Sequence, residues 1–95
     1  MLLVNSGLAK INDTSIYYEV AGSGKPLVLI HGLPLDSRMW DSQVEQLSKQ
    51  YKAIRFDLAG YGKSGIHDND FSFIEDLKSL LEYLDIATVS IIGLS

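Results

Sequence analysis

The alternation of apolar and polar residues near the start of the chain predicts a β-hairpin. The segments "LAKIN" and "TSIYYEV" each read as a strand, and Asn12 and Asp13 between them are residues that favour turns. The next segment, "AGSGKP", is predicted as a loop because it combines glycines with a closing proline. The amino-terminal part of the chain is therefore expected to form two antiparallel strands.

Three further strands are predicted along the rest of the chain. The segment "LVLI" is apolar at every position, which is typical of a parallel strand buried on both faces, and "YKAIRFD" and "TVSII" complete the set. The loop after the second of these, "LAGYGKSGIHDND", is too polar and too rich in glycine for a regular element. The strands are thus separated by long intervening segments.

The segments between these strands carry apolar residues at helical spacing. From Ser37 to Gln50 the recurring apolar positions are Trp40, Val44, Leu47 and Tyr51. From Phe73 to Ile86 they are Ile74, Leu77, Leu81 and Leu84. Ser72 and Glu75 have the spacing of a capping box, which predicts where the second helix begins.

This order of elements predicts an α/β fold in which an antiparallel β-hairpin leads into a parallel βαβαβ sheet with right-handed crossovers. A parallel sheet needs helices on both faces, and only two helices are predicted here. The last predicted strand also has no successor in the 95 residues. We therefore expect residues 1–95 to form an incomplete part of a single domain.

Composition narrows the possible partners. The net charge of −4 argues against nucleic acid, which is bound by clustered Lys and Arg. The sequence contains no cysteine, which excludes disulfides and thiolate metal sites. There is no signal-peptide pattern, and no apolar run approaches the about 20 residues of a membrane helix. We expect a cytoplasmic protein without metal, cofactor or membrane partner, and the sequence leaves its oligomeric state open.

The segment "GYGKSG" matches two phosphate-binding patterns superficially. It fits G-x-G-x-x-G, but polar residues separate Gly65 from the next helix, whose N-terminus would have to meet the pyrophosphate. In the P-loop pattern the first glycine would fall at position 57, which is Asp57. Neither nucleotide site is predicted.

Two motifs indicate other chemistry. In "IHGLP" a strand runs directly into His31 and Gly32, at the sheet edge where α/β proteins place their sites, and a glycine there lets an amide N–H point outward. The alternative is an ordinary turn in which His31 only satisfies local hydrogen bonds. The segment "SIIGLS" fits the first half of a G-x-S-x-G nucleophile elbow, although many strands end in Gly-x-Ser.

Taken together and in order, "VLIHGLP", "IRFDLAGYGKS" and "SIIGLS" resemble the amino-terminal portion of the α/β-hydrolase superfamily. Small bacterial esterases and enol-lactonase-like proteins are the members that this chain resembles most. The resemblance extends over all 95 residues and would end the chain inside the nucleophile elbow. The motifs are specific for the fold of this superfamily, but they say little about the substrate.

The resemblance also implies roles for individual residues. Ser95 would be the nucleophile, and the Gly32–Leu33 turn would supply the Leu33 N–H as one oxyanion donor. The second donor, the triad acid and the triad histidine would follow Ser95, so neither His31 nor His67 is expected to be the base. His67 is expected to be solvated in its polar loop. The remaining motif residues would be structural neighbours of the site: His31, Pro34, Asp57, Gly60, Gly62, Ser64 and Gly93.

A serine at position 95 implies hydrolysis of a small carboxylic ester or lactone through an acyl-enzyme. Haloalkane dehalogenases and epoxide hydrolases of this superfamily place aspartate at that point. We expect the 95-residue chain alone to be inactive, because the triad would be incomplete. Two alternatives stay open: a non-catalytic ligand-binding or receptor member of the same fold, and a naturally short protein with no hydrolase role.

Overall fold

The computed structural model describes residues 4–93. They form one five-stranded sheet with two α-helices and a short 3₁₀ helix. The elements in chain order are β1 (Val4–Ile11), β2 (Thr14–Ala21), β3 (Lys25–Ile30), a 3₁₀ helix (Ser37–Trp40), α1 (Asp41–Leu47), β4 (Tyr51–Phe56), α2 (Phe73–Tyr83) and β5 (Ser90–Gly93).

The order of strands across the sheet is β1-β2-β4-β3-β5. β1 and β2 form the predicted antiparallel hairpin, and β2 continues antiparallel along β4. β3 lies between β4 and β5 and is parallel to both. The predicted fold, a hairpin leading into a parallel βαβαβ arrangement, is confirmed.

The two faces of the sheet carry separate apolar clusters. On β3, Leu27 and Leu29 pack with Trp40 and Val44 on the side of α1, whereas Val28 belongs to the cluster on the side of α2. Successive side chains of a strand point to opposite faces, so the continuous apolar run of β3 is required by burial on both sides. This is the strand type that the sequence predicts for "LVLI".

The helices differ in detail from the prediction. The first begins as a 3₁₀ turn and its α-helical part ends at Leu47, so Tyr51 lies in β4. In α2 the side chain of Leu80 is fully buried, at 0% exposure, whereas Ile74 is 51% exposed. Leu80 belongs to the buried cluster that α2 forms with the sheet, whereas Leu81 is only partly buried against that cluster.

The start of α2 agrees with the predicted capping box. The Ser72 hydroxyl accepts a hydrogen bond from the Glu75 N–H, and the Ser72 N–H donates to the Glu75 carboxylate, both at 3.1 Å. These two bonds satisfy donors that the first turn of a helix otherwise leaves free. Among the helices of residues 4–93, none has the length and apolar character needed to cross a membrane.

Candidate functional site

The candidate site lies at the carboxyl edge of the parallel strands. Ile30 at the end of β3 is in register with Phe56 of β4 on one side and with Gly93 of β5 on the other. The three strands therefore end at the same level, and the segments that follow β3 and β4 start side by side at this edge. Clefts at this edge are where open α/β sheets bind their ligands.

His31 is the first residue after β3, and its side chain is buried. The Leu58 N–H donates to Nε2 of His31 at 2.9 Å, and Nδ1 lies 3.0 Å from the Gly32 carbonyl oxygen. Because a backbone N–H can only donate and a carbonyl can only accept, these two contacts require the neutral tautomer with hydrogen on Nδ1. His31 thus connects the loop after β3 to the loop after β4.

The turn after His31 has a fixed backbone. The Gly32 carbonyl also accepts from the Leu35 N–H at 2.9 Å, and the Gly32 N–H donates to the sulfur of Met39 at 3.3 Å. Within residues 4–93 the Leu33 N–H has no hydrogen-bond acceptor. Pro34 has no N–H of its own, so the Leu33 amide is the donor that this turn can offer to a ligand.

Asp57, the first residue after β4, is a buried carboxylate held by backbone donors. Its Oδ1 accepts from the Ser37 N–H at 2.8 Å and its Oδ2 accepts from the Lys63 N–H at 2.9 Å. The Ser64 hydroxyl donates to the Asp57 carbonyl at 2.5 Å and accepts from the Tyr17 N–H at 2.9 Å. Asp57 and Ser64 therefore join the glycine loop to the 3₁₀ helix and to β2.

The glycines of that loop have different requirements. Gly62 has a φ of +50°, and a Cβ atom there would lie 2.2 Å from Oδ2 of Asp57. Gly60 has a φ of +86°, but a Cβ atom would meet no atom within 4 Å. At Gly93 the nearest neighbour of a Cβ atom would be the Cβ of Ile30, at 3.9 Å, so the described residues leave room for a side chain.

His67 is not solvated, and the prediction that it is was wrong. Its side chain is only 8% exposed because Nδ1 contacts Asp13 and Nε2 contacts Asp76, the latter at 2.6 Å. Two carboxylates on opposite ring nitrogens need a hydrogen on each nitrogen, which the imidazolium supplies. Burial opposes that charge, but the hydrogen bonds to Asp76 and Asp13 outweigh it and raise the pKa of His67. We call Asp13, His67 and Asp76 the His67 cluster.

A cleft of about 240 Å³, lined mostly by polar and charged residues, lies beside Asp57. On its wall, hydrogen bonds from the Arg38 side chain and N–H hold the pKa of Asp36 down at about 2, so this carboxylate is charged at neutral pH. The cleft therefore offers both a guanidinium and a carboxylate. Its lining residues are Tyr17, Glu19, Asp36, Ser37, Arg38, Asp57, Gly62 and Lys63.

Most of the predicted site residues come together at this edge. His31, Gly32, Leu33 and Pro34 form one turn, and Asp57 lies in the adjoining loop with the motif residues Gly60, Gly62 and Ser64. Ser95, predicted as the nucleophile, lies outside the described residues, two positions beyond Gly93.

Neither histidine is positioned as a base of this site within the described range 4–93. Both ring nitrogens of His31 are engaged by backbone atoms, and both ring nitrogens of His67 contact carboxylates of the His67 cluster. Sequence reasoning did not assign Ser37 and Met39 to the site, where they bind Asp57 and Gly32. No sequence signal could have found them, because the first acts through its backbone and the second as an unusual sulfur acceptor.

Comparison with known proteins agrees with this architecture. A "Putative non-heme chloroperoxidase" of Synechocystis sp. is 38% identical over 100% of this chain and 36% of its own length. The crystal structure of a bromoperoxidase from Bacillus anthracis is 42% identical with a TM-score of 0.86, covering 96% of this chain and 35% of that one. The crystal structure of the enol-lactonase from Burkholderia xenovorans LB400 is 30% identical in sequence, with a TM-score of 0.87. The match covers 94% of this chain and 37% of the enol-lactonase chain.

Other matched proteins are named as methyl ester esterases, a soluble epoxide hydrolase and a haloalkane dehalogenase. The chain spans only 36% of the length of the first of these curated relatives. A sequence model described as the alpha/beta hydrolase fold matches residues 25–95, which is most of the chain. With the sheet order and the strand-end turn described above, this match shows that the chain belongs to the α/β-hydrolase fold family.

Proposed function

We propose that the complete protein containing this sequence is a serine hydrolase that cleaves a small carboxylic ester or lactone, with residues 1–95 as the amino-terminal part of its domain. Ser95 is the nucleophile and the Leu33 N–H is one donor of the oxyanion hole. Asp57, Gly60, Gly62 and Ser64 serve as the scaffold of the loop beside the site.

One observation carries this proposal: the pairing of Ile30 with Gly93 in parallel register. The last residue of β5 therefore lies beside the end of β3, from which the turn that contains the Leu33 N–H begins. Ser95 follows Gly93 by two residues, and Leu33 follows Ile30 by three. Acyl transfer requires a nucleophile and an oxyanion donor that both reach the same carbonyl group. Residues that follow two neighbouring strand ends can meet this requirement.

The reaction proceeds in two steps. The Ser95 hydroxyl oxygen attacks the carbonyl carbon, and the oxyanion that forms is stabilised by the Leu33 N–H. The C–O bond to the leaving alcohol then breaks, which leaves Ser95 acylated. Water hydrolyses the acyl-enzyme and releases the acid. A base from beyond residue 95 takes the serine proton and passes it to the departing alcohol; in the second step it takes a proton from water and returns it to Ser95. His31 and His67 do not serve as this base because they are committed to other contacts.

The substrate class is supported by residue 95 and by the relatives. The matched enol-lactonase and methyl ester esterases are named for ester-type substrates. The epoxide hydrolase and dehalogenase among the matches would need aspartate at this position, by the resemblance described above. Serine therefore favours acyl transfer over alkyl displacement.

The test is hydrolysis of p-nitrophenyl acetate and of small lactones by the product of the complete reading frame. We expect turnover that Ser95→Ala lowers by at least about 10³-fold, as loss of a triad member does. Ser90→Ala, on the same strand, is the control and keeps its activity. Turnover that is unchanged in Ser95→Ala would refute the serine mechanism, and binding without turnover would favour the non-catalytic alternative.

A further inference from the structure

We propose that His31 is a positioning residue for the oxyanion hole: its Nδ1–H holds the Gly32–Leu33 peptide so that the Leu33 N–H points at the substrate. The inference rests on the proposed function and adds to it a residue that does not touch the substrate. His31 is not acting as an acid or a base in this role.

The direction of the Leu33 N–H is coupled to that of the Gly32 carbonyl. The Gly32 carbonyl and the Leu33 N–H belong to the same trans peptide, whose planar geometry points them in opposite directions. A bond that fixes the carbonyl therefore also fixes the direction of the N–H. Two donors hold this carbonyl: His31 Nδ1 at 3.0 Å and the Leu35 N–H at 2.9 Å.

The His31 ring is itself held firmly. The Leu58 N–H occupies Nε2 at 2.9 Å, which leaves the hydrogen on Nδ1 and directs it to Gly32. The Tyr61 ring packs edge-on against the imidazole with centroids 5.9 Å apart. The loop after β4 thus orients the imidazole, and the imidazole orients the peptide of the loop after β3.

A peptide that is aimed before the reaction stabilises the oxyanion without reorganisation, which is what makes oxyanion donors effective. Without the His31 bond, only the Leu35 N–H would restrain the Gly32 carbonyl. The peptide could then rotate and turn the Leu33 N–H away from the oxyanion. The loss would affect the transition state, where charge develops, more than the bound substrate.

The two contacts of His31 can be separated by substitution. His31→Gln can place its amide oxygen near the Nε2 position and still accept from the Leu58 N–H, but it loses the bond to Gly32. His31→Asn places its amide nitrogen near the Nδ1 position and keeps a donor for Gly32, but it loses the Leu58 contact. The two variants form a matched pair: His31→Gln tests the bond that positions the Gly32–Leu33 peptide, and His31→Asn tests the contact with Leu58 that supports the fold.

The experiment measures kcat and KM for p-nitrophenyl acetate with the complete protein and both variants. We expect His31→Gln to lower kcat by about tenfold or more, short of the 10²–10³-fold loss that follows removal of an oxyanion donor, with KM nearly unchanged. His31→Asn should keep kcat within about threefold of the wild type, because the donor is retained. Its melting temperature should fall more than that of His31→Gln.

A folded His31→Gln protein whose kcat equals that of the wild type overturns the inference. So does a pair of variants whose kcat follows melting temperature alone, since His31 would then be purely structural. If Ser95→Ala abolishes turnover while His31→Gln has no effect, the proposed function stands and only this inference fails. If the wild type shows no serine-dependent turnover, both fail.

Discussion

Gly62 lies where neither the backbone nor a neighbouring carboxylate leaves room for a side chain. Its φ is +50°, and a Cβ atom would lie 2.2 Å from Oδ2 of Asp57. We expect Gly62→Ala to push Asp57 off the Lys63 N–H and to leave a buried carboxylate poorly paired. Gly60→Ala is the matched control, because it has a positive φ but no atom within 4 Å.

Gly60→Ala should therefore lower the free energy of unfolding by about 1 kcal/mol, the cost of the left-handed backbone alone. Gly62→Ala should lower it by more than about 2 kcal/mol, because loss of hydrogen bonds to a buried charge is added. Urea unfolding of the two variants in the complete protein measures both values. Equal losses would show that the contact with Asp57 is unimportant.

At the residue scale, sequence reasoning identified the site loops but not their contacts. The order of "HGLP", "DLAGYGKS" and "GLS" was sufficient to recognise the family, whose match covers residues 25–95. The close approach of Asp57 to Gly62 and the covering of the His67 side chain by Asp13 and Asp76 both depend on groups that folding brings together. Asp13 lies 54 residues from His67, and no local pattern relates the two.

At the scale of elements, the His67 cluster connects a turn, a helix and a loop that lie far apart in the sequence. Asp13 belongs to the β1–β2 turn, Asp76 to α2, and His67 to the long loop between β4 and α2. Asn12 donates to Asp76, and Asp13 accepts from Asn69 and from the backbone N–H of Asp68. The Phe71 ring packs on the imidazole with centroids 5.0 Å apart. The cluster is therefore closed by uncharged groups around one imidazolium and two carboxylates.

The sign of its pH dependence follows from the raised pKa of His67. Its stabilising effect is fully present below the unfolded pKa of about 6.5 and is lost as the pH rises through the higher folded pKa. We expect the melting temperature of the wild type to exceed that of His67→Gln most at pH 6, and the difference to shrink as the pH is raised to 9. Asp68→Asn, an exposed neighbour, should leave the profile unchanged.

The opposite result, a difference that grows with pH, would mean that His67 is neutral in the folded protein.

At lower pH the ionisation of Asp13 determines how much the cluster stabilises the fold. The hydrogen bond from His67 lowers the pKa of Asp13 to about 2, so its contribution is present above the usual range for Asp and is lost as the pH falls toward 2. The cluster should thus be most stabilising between these two limits.

The elements themselves were predictable because they are local. The capping box of α2, the turn at Asn12 and Asp13, and the apolar run of β3 are each determined by a few adjacent residues. The choice of Leu80 over Ile74 for the core was not predictable in this way. It depends on how α2 rests against the hairpin, and helical spacing alone allows several neighbouring faces.

At the scale of the whole molecule, β5 forms an open edge of the described sheet. Within residues 4–93 it pairs with β3 alone, and Ile91 and Ile92 are 54% and 42% exposed. Because their positions pair with Val28 and Leu29, these two side chains belong to opposite faces of the sheet. An apolar strand with free N–H and C=O groups is a template for pairing with another chain.

We therefore expect the 95-residue chain, expressed alone, to self-associate through β5. Size-exclusion chromatography with light scattering should show oligomers that Ile91→Lys reduces, because a charge at a sheet edge disfavours further pairing. Ile66→Lys is the matched control: Ile66 is a loop residue, 78% exposed, that lies in no strand, so this change should leave association unaffected. A monomer that unfolds in one sharp transition would contradict this prediction and show that a three-stranded parallel unit with a hairpin can be stable with its edge open.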